Sequence, residues 1–278
     1  MANSARLREQ LKQNRILVRQ ERIAERELAK AIKAIAKKAA SRFSIATPET
    51  SLQIVSDGQS SIAATLEKNL KKTALIFGGR TLDRLEASLP KSYYPGLPFG
   101  LGPVRGRDEV DLEGKNAREI FEQTTLNWAR IHGLARAVTV TGTLKEATRR
   151  VIEQALASGA GEAGTAAAIV SKIGGKLSRT NAARIARTEM HTASTIGADQ
   201  AARSTGLDMI KEWASAEDSR TRASHAAADG QEVKIDEAFQ VGKAKLMVPG
   251  DPLGPAKEVI NCRCAILHHP IIGGTVIR

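Results

Sequence analysis

SRTNAARIARTEMHTASTIGADQAARSTGLDMIKEWAS, residues 178–215, is the stretch in which the chain turns from helix to strand. Its first part is rich in Ala and Arg and reads as one long helix starting near Ser178. Gly206 is the expected C-terminal cap, because glycine adopts the left-handed conformation that closes a helix. Beyond it come short runs, LDMIKEWAS, QEVKI, AKLMVPG and EVINCRCAIL, separated by Gly, Pro and Asp. Such runs read as strands. Helices followed by strands, rather than alternating with them, indicate an α+β fold: a mostly helical N-terminal region and a C-terminal module of helices packed on a small β-sheet.

Upstream, Thr143 and Glu146 form a capping box that predicts a helix start, closed by Gly159. A helix through AGTAAAIVSKI is expected to stop at Gly174-Gly175. Ile62, Leu66 and Leu70 predict a helix ending at Gly78-Gly79, and Leu82, Leu85 and Leu89 another, stopped by Pro90. A Pro- and Gly-rich loop, residues 91–106, holds both Tyr of the chain and a Phe, and is expected to pack against something, a partner chain included. The domains predicted are residues 1–110 and 111–278.

Composition bounds the rest. The chain has 278 residues, 42% hydrophobic and only 3% aromatic, so a core of small aliphatic side chains on helices is expected. No apolar run approaches membrane-spanning length, and the charged N-terminus does not read as a secretory signal, which predicts a soluble protein made in a reducing cytoplasm.

The net charge is +12, and residues 1–42 hold eight of it. Their basic residues are Arg6, Arg8, Lys12, Arg15, Arg19, Arg22, Arg26, Lys30, Lys33, Lys37, Lys38 and Arg42, against Glu9, Glu21, Glu25 and Glu27. Leu28, Ile32, Ile35 and Ala39 recur at helical spacing, so the segment reads as a basic amphipathic helix. It is either a solvated helix docked on its own protein or a contact for double-stranded DNA or an acidic partner. A helix so polar is expected to add little to the core, so that residues 1–42 are dispensable for folding of the C-terminal module.

The only two cysteines stand in VINCRCAILHH, residues 259–269. Strand alternation would put Cys262 and Cys264 on one face and Arg263 on the other. A disulfide between them is disfavoured, because an extended i, i+2 pair holds the Cβ atoms too far apart.

Several short motifs occur in a fixed order: ARTEMH at 186–191, KEWASAEDSRTRASHAAADGQEV at 211–233 and VPGDPLGPAKEVINCRC at 248–264. In this order they resemble the minor head proteins of tailed phages, the head morphogenesis family that includes the phage Mu protein F. The resemblance covers about residues 120–270. It implies a low-copy virion protein, assembled in the host cytoplasm, that sits in the capsid interior or at the portal vertex. Its implied partners are the portal protein, the major capsid protein and packaged DNA, with no membrane and no settled enzymatic reaction. Arg187, Glu189, Trp213, Arg220, Arg222 and Gly230 are motif residues for which structural roles are expected, Arg187 and Glu189 in a buried pairing with Arg222 or Asp218.

The same module offers chemistry. Asp218, Arg222 and His225 have i, i+4, i+7 spacing and would share a helix face. With Cys262 and Cys264 brought against His225, Asp218, His225, Cys262 and Cys264 form a candidate zinc set; the alternative is a buried, hydrogen-bonded structural cluster. A third reading is nuclease-like, with His225 as general base beside Asp218 or Asp229 and Arg220 or Arg222 holding a phosphate.

Overall fold

The computed structural model describes residues 2–89 and 117–278. The boundary expected near residue 110 and the loop at 91–106 lie outside the described residues. In order, the elements are α1 (Ala2–Ser41), α2 (Glu49–Asp57), α3 (Gln59–Ser88), α4 (Ala117–Ala157), α5 (Glu162–Ala168), a π-helical segment (Ile169–Leu177) and α6 (Ser178–Ser204). There follow β1 (Met209–Ala214), α7 (Ala223–Ala227), β2 (Glu232–Lys234), β3 (Phe239–Val241), β4 (Ala244–Leu246), α8 (Ala256–Val259), β5 (Ala265–Ile272) and β6 (Thr275–Val276). The fold is α+β. One antiparallel sheet has the order β2-β1-β5-β6, and β3 pairs with β4 in a second.

Two compact units are built from interleaved segments: Met1–Leu17, Lys71–Trp128 and Thr188–Arg278 form one, Val18–Leu70 and Ala129–Arg187 the other. The second is all helical. Leu28, Ile32, Ala36 and Ala39 of α1 are buried in it, as are Ile62, Leu66 and Leu70 of α3 and Ile169 and Ile173 of the π-helical segment. The apolar face read in the sequence is therefore correct. Its expected consequence is not: α1 belongs to a core, so removing residues 1–42 would remove core rather than an appendage. Arg19, Arg22, Arg26, Lys30, Lys33 and Lys37 are all exposed. At 3.6 residues per turn they fall on the side of α1 opposite its buried face.

The first unit carries the sheets and the part of α6 from Thr188 onward. Gly206, at φ +66, ends α6 as predicted. β1 and β5 pair from Met209–Pro270 to Ala214–Ala265, with Trp213 opposite Ile266. Small residues let α6 come close to α3: a Cβ on Gly197 would lie 2.3 Å from the Ala74 carbonyl oxygen, and one on Gly78 would lie 2.1 Å from the Phe121 ring. This corrects the expected stop at Gly78-Gly79. Both glycines lie inside the continuous helix α3; at Gly78 the lost helix propensity of about 1 kcal/mol is offset by packing that no larger residue permits.

Two other boundaries differ for local reasons. Thr143 caps nothing, because α4 runs through it and its hydroxyl donates to the Thr139 carbonyl at 3.0 Å. Gly174-Gly175 kinks the chain instead of ending it: Gly175 leaves helical geometry (φ −99, ψ −108), and α6 follows directly. Gly159, at φ +77, does close α4. No helix of the described residues is long and apolar enough to cross a membrane.

Candidate functional site

Trp213 is fully buried on β1. Its backbone N–H donates to the Gln231 carbonyl at 3.0 Å, and its carbonyl accepts from the Gly230 N–H at 2.8 Å. Gly230 sits at φ +73, a conformation that costs glycine nothing, and so supplies the turn between α7 and β2. The Trp213 indole meets two rings edge-on, His225 and Phe239, each with centroids 5.4 Å away.

His225 comes from α7, which is short. Residues 218–222 are turn and extended chain, so Asp218, Arg222 and His225 share no helix face. Asp218 is exposed and forms a bidentate pair with Arg263, and it also accepts from the Arg220 N–H at 2.9 Å. The Arg263 guanidinium holds its carboxyl well below the usual carboxylate range. Asp218 thus leaves the predicted zinc set. The Arg222 guanidinium donates to the Ile260 carbonyl. Arg220 is exposed, 3.7 Å from Asp218. Of the two motif residues in α6, Glu189 is buried and Arg187 exposed.

The carboxylate beside His225 is Glu258, which the sequence reading missed. Buried at the first turn of α8, it accepts from the Ser224 hydroxyl at 2.8 Å and lies 3.2 Å from His225 Nε2. His225 Nδ1 faces the opposite way, 3.3 Å from Cys264 Sγ and 3.7 Å from Cys262 Sγ. Both cysteines are free and buried. They lie in extended chain just before β5 rather than within a strand, because α8 occupies Ala256–Val259 and Asn261, at φ +59, reverses direction. Alternation still holds: the thiols point inward and Arg263 outward to Asp218. His225, Cys262 and Cys264 offer three ligand atoms within 4.8 Å of one another.

The two thiols are coupled. A hydrogen bond from Cys264 lowers the Cys262 pKa, while that bond to Cys262 and burial push the Cys264 thiol up. Loss of the second proton is therefore costly unless a cation joins the sulfurs.

The remaining motifs meet at the same place. His191, in the R-T-E helix α6, donates from Nε2 to the Cys264 carbonyl at 2.8 Å. Gly250 of the P-G-D-P loop packs on the His191 ring so closely that a Cβ there would lie 2.5 Å from Nδ1, and its carbonyl accepts from Thr192 at 2.8 Å. Asp251 ties the loop by accepting from the N–H groups of Met247 and Leu253, each at 2.9 Å. Lys211, inward-facing between Met209 and Trp213, is buried and donates to the Met247 carbonyl at 2.8 Å. The alternation of Met209, Lys211 and Trp213 was a readable signal for this inward lysine.

Burial lowers the His191 pKa to about 4. The unfolded chain takes up a proton near pH 6.5 and the folded one does not until about pH 4, so stability is full above this window and falls as pH drops through it. The expected loss from this residue is roughly 3 kcal/mol by pH 4. Denaturant unfolding at neutral and acidic pH, with His191→Gln as the reference, measures it; an unchanged pH slope in that variant would contradict the assignment.

The comparisons with known proteins fall on this same region. Residues 146–267 match the sequence model of the family described as Phage Mu protein F like protein. The chain is 37% identical over 134 residues to the minor head protein GP7 of Bacillus phage SPP1, covering 45% of this chain and 40% of that protein. It is 34% identical over 89 residues to the NAD(+)--arginine ADP-ribosyltransferase EFV of Enterococcus faecalis, covering 31% of this chain and 18% of that protein. The chain thus spans about two fifths of the first relative and under a fifth of the second. No solved structure matches. These matches support the phage minor head protein resemblance read in the motif order.

Proposed function

We propose that the chain is a minor head protein of a tailed phage, a low-copy structural component of the virion that acts in head assembly and in packaging or ejection of the genome. The observation that carries this reading is the similarity of its C-terminal part to a protein named as a minor head protein. The ordered motifs add to it, since the second and third contribute residues to one core around Trp213 and His191 of the first hydrogen-bonds to the Cys264 backbone there.

The portal protein and the major capsid protein are the proposed protein partners, and packaged double-stranded DNA is bound by charge alone. The exposed basic stripe of α1 suits the polyanion. An exposed apolar row on α4, Ile131, Leu134 and Val138, suits a protein surface.

The role is structural rather than catalytic. His225 is buried, and the two carboxylates that the sequence offered a nuclease-like His225 are engaged elsewhere: Asp218 with Arg263, and Asp229 accepting from the Ser215 N–H at 2.7 Å. The transferase name belongs to a protein of which this chain spans 18%, and it carries no reaction here. The protein composition of purified heads tests the proposal.

A further inference from the structure

We propose that Cys262 Sγ, Cys264 Sγ and His225 Nδ1 bind one zinc ion, with Glu258, and not Asp218, as the carboxylate that holds the histidine. The site is independent of the head-protein reading, since it rests on side-chain geometry alone; either can fail without the other.

The donor set comes first. Two sulfurs and an imidazole nitrogen are the ligands that select a thiophilic, tetrahedral ion over magnesium or calcium. The spacing fits the same ion. Zinc–sulfur bonds of about 2.3 Å and zinc–nitrogen bonds of about 2.1 Å at tetrahedral angles place nitrogen and sulfur about 3.6 Å apart. The two distances here are 3.3 Å and 3.7 Å.

Orientation is the third observation. Nδ1 faces the sulfurs while Nε2 lies 3.2 Å from Glu258 Oε2, the same oxygen that accepts from the Ser224 hydroxyl. Metal-bound histidines commonly give their second ring N–H to a carboxylate, which sets the tautomer and strengthens the donor. Nε2 is buried and lacks an aligned hydrogen bond in the structure, so a small ring rotation is all that completes this contact. Glu258 stands on the far side of the ring from the thiols and is not itself a ligand.

The surroundings also suit a structural ion. The wall is apolar, with Trp213, Phe239, Val241 and Ile266 in the same buried cluster as the cysteines. The ligands come from α7 and from the segment between α8 and β5, so the ion would fasten the closing segment of the chain to the body of the unit. On binding, both thiols lose their protons to solvent and no electrons move. The charge of the ion removes the cost of the second thiolate.

The test uses the full chain. Metal analysis after purification without chelator is expected to find one zinc per chain. The stripped protein, titrated with cobalt(II) alone, is expected to show thiolate-to-cobalt charge transfer and tetrahedral visible bands, and to release about two protons per ion. Cys264→Ser should abolish the charge-transfer band or shrink it by half. Because that variant can fail to fold, two others decide the matter. Glu258→Gln should keep the tetrahedral spectrum with affinity for zinc weakened about 10- to 100-fold. Asp218→Asn should leave the affinity unchanged. Stripped, folded protein that takes up neither zinc nor cobalt overturns the proposal. So does Glu258→Gln binding zinc as tightly as the parent, or Asp218→Asn losing it.

Discussion

Trp213→Ala is expected to lower the unfolding free energy by about 3–5 kcal/mol, the largest single-residue loss in the C-terminal core. The indole is fully buried and touches both halves of the unit's chemistry, the His225 ring on one side and Phe239 on the other. Its removal leaves a cavity beside His225 and Phe239, in the buried cluster that also holds Cys262, Cys264, Val241 and Ile266. Strand pairing prevents β1 from moving in to fill it, because Trp213 is in register with Ile266 in the middle of a four-stranded sheet. The edge-on ring contacts add about 0.5–1.5 kcal/mol each beyond the area buried. Denaturant unfolding of the variant measures the sum, and a loss below about 1 kcal/mol would show that the core does not depend on this residue.

A larger effect, in affinity rather than stability, is expected from the α1 stripe. Replacing Arg19, Arg22, Arg26, Lys30, Lys33 and Lys37 together by Gln should leave folding nearly unchanged. All six are exposed and lie opposite the buried face, and Gln is a good helix former. Each phosphate contact steepens the fall of log K with log salt by about 0.9, so the variant's slope should be shallower by about 5. The parent's affinity for duplex DNA should drop on the order of a thousandfold between about 50 and 200 mM salt, and the variant's should hardly move. Equal slopes would assign the stripe to a protein partner. Substitution, not truncation, is the right comparison, because Leu28, Ile32 and Ala36 of the same helix are core.

These expectations also mark what the sequence made legible. Period-3.6 patterning placed the α1 core face, and the change of texture at Gly206 located the start of the sheet. Glycine was the ambiguous signal. The same residue type closes a helix at Gly206 and Gly159, kinks one at Gly175, and sits unbroken inside α3 at Gly78, where what matters is Phe121, a residue far away in sequence. Local propensity cannot distinguish these cases, since the deciding neighbour is tertiary.

The candidate site was legible in part for similar reasons. Adjacent cysteines and the motif order brought His225 to the thiols. Spacing alone then chose Asp218 as the carboxylate, because it stood at i−7 from His225 on a helix that does not form there. Glu258 was hidden in a segment read as strand, where a short helix preceded by Pro255 buries it instead. His191 was quoted in a motif but given no role, since its partner is the backbone carbonyl of Cys264, which no side-chain pattern reveals.

The proposal that this is a head component is tested most directly by isolating phage heads assembled in cells that express the tagged full chain and quantifying it by mass spectrometry beside the portal and major capsid proteins. The reading predicts that the chain remains with heads through density-gradient and high-salt washing, at a small fraction of the major capsid protein's copy number. Heads of normal composition that lack the chain, with all of it left in the soluble fraction, would contradict it.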